Sequence, residues 1–405
     1  MSRQRRVAVK LELEWPLKRH ATLFAGSQQY AREAGWKSII DEFVEHTLPA
    51  RRTAALPYDG VIARATSELA ERCSKLGLPL VNVWASSPVR DQVPGVFPDF
   101  EAAGRLRAEH LLARGFRNFA ALVSRTNRGH QIELAAFRHV VEAAGFSCTT
   151  GVVPLRQRTY AQWRTLESVV TDWTRQLRPP VGVFVGADHL GRVVAQLCDE
   201  RGWRVPRDVA IVTGGNEETI CENPRPSLTS VEMGYERVGY EAARLLDRLM
   251  TDGMSTKRTA ADDRPAHVLL PPVGLVLRES TDFHSVDEPT VSRALEFVAA
   301  NSHRAIGPKD VARALTIELR TLQRRFEKHL GRSIVEEIRR VRLERAQREL
   351  AFSDRSIGAI AKAVGFEDPM RMTATFRREL DMTPTEYRRQ RRATSGRVAR
   401  RDDPS

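Results

Sequence analysis

One helical pattern occurs twice near the carboxyl end of this chain, and it limits what that end can fold into. The first copy is Val311-Ala-Arg-Ala-Leu315 followed by Leu319-Arg-Thr-Leu-Gln-Arg-Arg-Phe326. The second is Ile357-Gly-Ala-Ile-Ala-Lys-Ala-Val-Gly-Phe366 followed by Pro369-Met-Arg-Met-Thr-Ala-Thr-Phe376. Each copy reads as a short helix of small apolar residues, a turn, and a second helix with a single apolar stripe. Leu322 and Phe326 lie four apart and face inward. That leaves Arg320, Thr321, Gln323 and Arg324 outward, where Arg matches guanine and Gln matches adenine in a major groove. In the second copy Gly365 permits the turn and Phe366 and Phe376 anchor it. Arg371 and Thr373 are its expected contacts, and Met370 suits a thymine methyl. The plain alternative is that these polar residues are only solvated helix faces. Two helix-turn-helix units in tandem are expected to bind double-stranded DNA sequence-specifically.

Charge placement agrees. The chain carries a net +13, and residues 291–405 hold 26 Lys/Arg against 16 Asp/Glu, so about +10 sits in the last quarter. That is the footprint of a phosphate-binding surface. No run of 18 apolar residues marks a membrane span, and the basic start meets Glu12 and Glu14 too soon for a signal peptide. The cytoplasm is the expected compartment. Cys73, Cys148, Cys198 and Cys221 lie far apart without ligand spacing, so neither a disulfide framework nor a metal site is indicated. No cofactor is expected. The glycine-loop, nucleophile-elbow and zinc motifs of enzymes do not occur in a fitting context, so an enzyme is disfavoured. A sugar receptor without gene control and a nonspecific chromosome-coating protein are the competing classes. The basic helical end and the lack of an export signal argue against the receptor.

From residue 5 to 282 short apolar runs alternate with helical periods. Strands are expected at Val7, Gly60, Leu80, Phe119, Gly182 and Val209, and helices over 21–34, 102–114, 132–144 and 190–201. Alternation of this kind gives parallel sheets flanked by helices. Two such halves meeting at a cleft place a ligand near the carboxyl ends of the strands.

Several segments of this region match as a set. They are Val96-Phe-Pro-Asp99 with Ala108-Glu-His-Leu111, Phe184-Val-Gly-Ala-Asp188, Gly202-Trp-Arg-Val-Pro206, Pro226-Ser-Leu-Thr-Ser-Val231 and Gly239-Tyr-Glu-Ala-Ala243. Together they resemble the periplasmic-binding-protein-like effector domains of LacI-type repressors. Placed before an AraC-type tandem helix-turn-helix, they resemble the xylose operon regulators. The resemblance implies an α/β two-lobed domain over 5–282, a linker over 283–290, an all-α DNA-binding domain over 291–392 and a disordered tail over 393–405. It also implies a ligand, most simply a sugar such as a pentose, between the lobes.

In the family pattern Asp188 and Asn216 contact ligand. Glu133 stands where that pattern has Arg, and Gly215 where it has Asp, so the pocket's hydrogen-bonding preference differs and xylose does not follow. Asp188 reads alternatively as a helix N-cap, and Glu133 as a solvent-facing helix residue. Trp15 either stacks on a sugar or plugs the lobe interface. The AraC-type resemblance implies an activator, with RNA polymerase as a further partner. A homodimer is expected to form through apolar surface around Tyr235 and Met250.

Overall fold

The computed structural model describes residues 4–14, 17–51, 55–154, 159–251, 267–283, 288–353 and 355–395, and the backbone alone for 348, 351, 352 and 390–395. The first lobe alternates β1 (Arg6–Lys10), α1 (Lys18–Glu33), β2 (Lys37–Ile40), α2 (Val44–Thr47), β3 (Gly60–Ala63), α3 (Ser67–Leu76), β4 (Leu80–Asn82) and β5 (Gly95–Pro98). The chain then crosses to a second lobe. There it forms α4 (Phe100–Ala113), β6 (Asn118–Ser124), α5 (Arg128–Ala143), β7 (Cys148–Val153), α6 (Tyr160–Thr174), β8 (Val181–Val185), α7 (Asp188–Glu200), β9 (Val209–Gly214), α8 (Glu218–Glu222) and β10 (Thr229–Glu232). Next, α9 (Tyr235–Thr251) and β11 (His267–Leu270) return to the first lobe, and β12 (Gly274–Val276) to the second.

Among the described residues the first sheet runs β11-β5-β4-β3-β1-β2, parallel throughout. The second runs β12-β10-β9-β8-β6-β7 and is parallel except where β12 meets β10. Both sheets are covered on both faces, which is why their central strands are continuously apolar rather than alternating. Three crossings join the lobes, and that is the geometry of a hinge.

The surface proposed for dimerisation around α9 is a correction. Its apolar residues Val238, Ala242, Ala243, Leu245 and Leu246 are buried inside the protomer against α1 and the first sheet. Two glycines make this packing possible. A Cβ at Gly26 would lie 1.8 Å from the Glu236 carbonyl oxygen, and one at Gly239 would lie 1.9 Å from that of Leu23. The helices touch backbone to backbone, so this apolar stripe is not available to a second copy.

The last seven helices are α10 (Pro289–Asn301), α11 (Pro308–Ala314), α12 (Leu319–Leu330), α13 (Ile334–Phe352), α14 (Ile357–Ala363), α15 (Pro369–Leu380) and α16 (Pro384–Ser395). The long α13 serves two cores. Ile334, Ile338 and Val341 enter one with Leu322 and Phe326, while Leu343, Ala346 and Leu350 enter the other with Phe366 and Phe376. Two boundaries shift from the sequence expectation. Glu288 caps α10 by accepting from the Val291 N–H, so the helix begins inside the expected linker. At the other end α16 continues through Ser395, so residues 393–395 are helical rather than disordered tail.

Candidate ligand cleft and nucleic-acid interface

In each lobe the strand ends that face the other lobe are the carboxyl ends, where backbone and helix N-termini are free to meet a ligand. Two sets of contacts tie the lobes across this gap. The Lys18 ammonium, at the start of α1, donates to Glu218 Oε1 at 2.6 Å, the Asn216 carbonyl at 2.9 Å and Glu232 Oε2 at 3.0 Å. Its backbone N–H donates to Glu217 Oε1. Burial works against the Lys18 charge, but Glu232 and Glu218 outweigh it and hold its pKa above the ordinary value. On the other side Arg128 donates to Ser86 Oγ through its backbone and to Asp91 through its guanidinium.

Asp188 and Asn216 shape the second lobe's cleft loop. Asp188 is the first residue of α7, not its cap; the cap position is Ala187. The Asp188 carboxylate accepts from the Thr213 and Ser230 hydroxyls and from the Glu217 N–H. Gly215, at φ +118, makes this loop possible, since a Cβ there would come within 3.1 Å of Asp188 Oδ2. Asn216 is also left-handed, at φ 48. Its amide donates to Glu232, its carbonyl accepts from Arg278, and its N–H donates to Ser230. Both side chains are buried and fully engaged.

Glu133 is not a solvent-facing residue; it is 3% exposed. It faces Arg107 from α4 at 3.3 Å, and the Arg107 guanidinium lies 4.7 Å over the Phe184 ring. Burial, opposed by Arg107, raises the Glu133 pKa. Nearby, burial pushes His130 down to about 3 and His20 to about 4, so both rings are neutral near pH 7. Trp15 lies outside the described residues.

Sequence reasoning missed Arg107, Lys18 and Arg278. For Arg107 a signal existed: it shares an inward face with Ala103, Gly104, Ala108 and Leu111, where a lone charge needs a buried partner.

On the helical domain Arg320, Gln323 and Arg324 are exposed along α12, with Thr321 half-buried beside them. Leu322 and Phe326 are wholly buried. Their neighbour Arg325 is engaged elsewhere, binding Glu288 and Thr290 at the start of α10. On α15 Arg371 is exposed but faces Glu367 at 2.9 Å, and the Thr373 hydroxyl returns to the Pro369 carbonyl. Met370 is 81% exposed. Gly365, at φ +92, holds the turn against α10, where a Cβ would meet the Ser302 carbonyl at 2.1 Å.

Comparison with known proteins separates the same two parts. A family described as "Periplasmic binding protein-like domain" matches residues 108–281, and one described as "Helix-turn-helix domain" matches 311–390. The chain is 28% identical over 374 residues to the xylose operon regulatory protein of Escherichia coli K12, covering 90% of this chain and 91% of that one. Among solved structures it is similar to the xylose-binding transcription activator xylR, at TM-score 0.58 and 24% identity over 96% of this chain and 98% of that one. It is also similar to the regulator CelR in complex with cellobiose, at TM-score 0.53 and 23% identity over 69% of this chain and 86% of that one.

A two-lobed α/β domain joined to a basic tandem helix-turn-helix domain defines a DNA-binding transcription regulator and not an enzyme. Within that class the chain is similar along nearly its whole length to the xylose operon regulators. No described helix is long and apolar enough to cross a membrane.

Proposed function

We propose that this regulator is a cytoplasmic activator whose grip on operator DNA is set by a small sugar held between the lobes. The observation that carries the reading is mechanical. The lobes are tied across their cleft by Lys18 and Arg128, and the second lobe is bound to the DNA-binding domain through Arg114 and Glu344. A ligand that favours one lobe arrangement then biases the placement of α12 and α15 by its differential affinity. On DNA, Arg320, Thr321, Gln323 and Arg324 read one major-groove segment, and Arg371 and Thr373 read the next. Asp188 and Asn216 support the sugar site by fixing its loop. A homodimer would present four reading helices and gain affinity by linkage of sites; RNA polymerase would be its downstream contact.

The test is a thermal-shift screen of pentoses, hexoses and sugar acids, followed by operator binding with and without each hit. A stabilising sugar that changes operator affinity at least several-fold is expected. A sugar that stabilises the protein while operator affinity stays constant would refute control by ligand. Sedimentation showing a monomer with and without DNA would remove the dimer.

A further inference from the structure

Among the buried groups at the cleft, the Asp188 and Asn216 side chains are filled by the protein's own donors and acceptors. The Arg107–Glu133 pair is not. The Arg107 Nε donates to the Thr213 carbonyl and its Nη1 faces Glu133 Oε1 at 3.3 Å, but its Nη2 makes no hydrogen bond, nor does Glu133 Oε2. Arg107 is 0% exposed. A buried ion pair with an unused guanidinium nitrogen and an unused carboxylate oxygen is costly unless something else meets them.

The place matters as much as the shortage. Arg107 reaches the carboxyl ends of β8 and β9. Its guanidinium packs on Phe184, and its Nη2 lies 2.3 Å from where a Gly214 Cβ would stand. Gly214 therefore leaves the room this group occupies. One residue beyond Gly215, Asn216 is already bound to Lys18 of the first lobe. The pair thus lies in the cleft floor beneath the interlobe tie, and lobe opening is its route to ligand.

We infer that Arg107 and Glu133 together form the hydroxyl-recognising pair of the sugar site, and that they select a neutral polyhydroxylated ligand. The inference rests on the sugar reading above and adds its residues and ligand class. A guanidinium only donates and a carboxylate only accepts, whereas a hydroxyl does both. Adjacent sugar hydroxyls can therefore accept from the Arg107 Nη groups while one donates to Glu133 Oε2. The pair's opposite charges cancel. A sugar acid or sugar phosphate would set its anion against Glu133 and gain little from an arginine already neutralised. Arg107 on α4 thus supplies the planar donor set, and Glu133 on α5 orients it.

The full chain is titrated calorimetrically with D-xylose, D-ribose, D-glucose and D-galactose, and with the aldonate of each. At least one neutral aldose is expected to bind more tightly than its aldonate. Arg107→Met should weaken that aldose by about 10- to 100-fold, the loss of one or two hydrogen bonds to a charged donor. Arg107→Lys should fall between, because an ammonium keeps the charge but not the fork. Glu133→Gln keeps the size and serves if Arg107→Met does not fold; it too should weaken the aldose. Unfolding temperatures confirm that each titrated variant is native. Aldose affinity unchanged in these variants overturns the inference and leaves the sugar reading standing, as does an aldonate that outbinds its aldose. A chain that binds none of the eight compounds defeats the sugar reading and the inference with it.

Discussion

Arg114, the C-cap residue of α4, donates from Nη2 to Glu344 Oε2 on α13 at 3.0 Å, joining the effector lobe to the helix shared by both DNA-binding units. The pair is nearly dry, with side chains 3% and 12% exposed. Around it Arg340 binds Glu344 and Glu337, Arg332 binds Glu337 and the Ala113 carbonyl, and Arg117 donates to the His329 carbonyl. Arg107 lies on the same helix as Arg114, seven residues away, which is about 10 Å along the axis and nearly the same face. One rigid helix therefore has its middle at the cleft floor and its end on the DNA-binding domain.

Glu344→Gln should destabilise the junction severely. It leaves Arg114 and Arg340 buried with one fewer counter-charge, a change worth about 3–5 kcal/mol when a buried pair is broken. Denaturant unfolding of the full chain would read this, and a second transition should separate as the domains uncouple. A single transition at the original midpoint would show that the pair contributes nothing.

Acid should weaken the fold in two stages. His20 and His130 have depressed pKa values, about 4 and about 3 against 6.5. Their contribution is complete above pH 6.5 and is lost as pH falls toward those values, because only the unfolded chain takes up their protons. Burial acts against the Glu344 charge, but Arg114 and Arg340 prevail and bring its pKa from 4.5 to about 2, so its share is lost between those values. Glu133, with a raised pKa, opposes the trend. Stability measured from pH 7 to 4 should fall, and His130→Gln should flatten the slope. A slope that is the same in this variant would mean the ring titrates normally.

Arg324 and Arg325 are neighbours with different expected roles. Arg324→Ala should relax preference at one base pair and cost about 1–3 kcal/mol of operator binding. Arg325→Ala should leave base preference alone, since its guanidinium holds the start of α10. Selection from random duplexes with each variant distinguishes them. The wild-type footprint should show two protected segments about 10 bp apart; a single short block per chain would exclude use of both units.

Gly239→Val should cost about 1–3 kcal/mol or more, as overpacking does, because the new carbons meet the Leu23 carbonyl. Val at exposed Gly202 would serve poorly as a control, since that residue has φ +70. Gly307→Ala, with only the Asp310 carboxylate at 3.9 Å, meets no such obstruction and should cost about 1 kcal/mol at most, as replacement of an N-cap residue by Ala does. Equal unfolding midpoints for Gly239→Val and wild type would mean that α1 and α9 can separate without loss.

The sequence by itself determined the elements and their order. Local periodicity and cap chemistry put α12 and α15 in place, with Arg320, Gln323 and Arg324 outward, because a helix's faces follow from spacing alone. The alternating strands and helices likewise announced two parallel-sheet lobes before any contact was visible. What tertiary structure decided were pairings between residues distant in the chain, which no local pattern encodes. Asp188 became the hub of a loop through Thr213, Ser230 and Glu217 rather than a helix cap. Glu133 was buried because α5 packs on α4 and finds Arg107 there. The apolar stripe of α9 looked available to a partner in sequence, yet α1, more than two hundred residues earlier, covers it. An amphipathic face declares only that it will be buried; what covers it depends on how the chain is routed through its crossings.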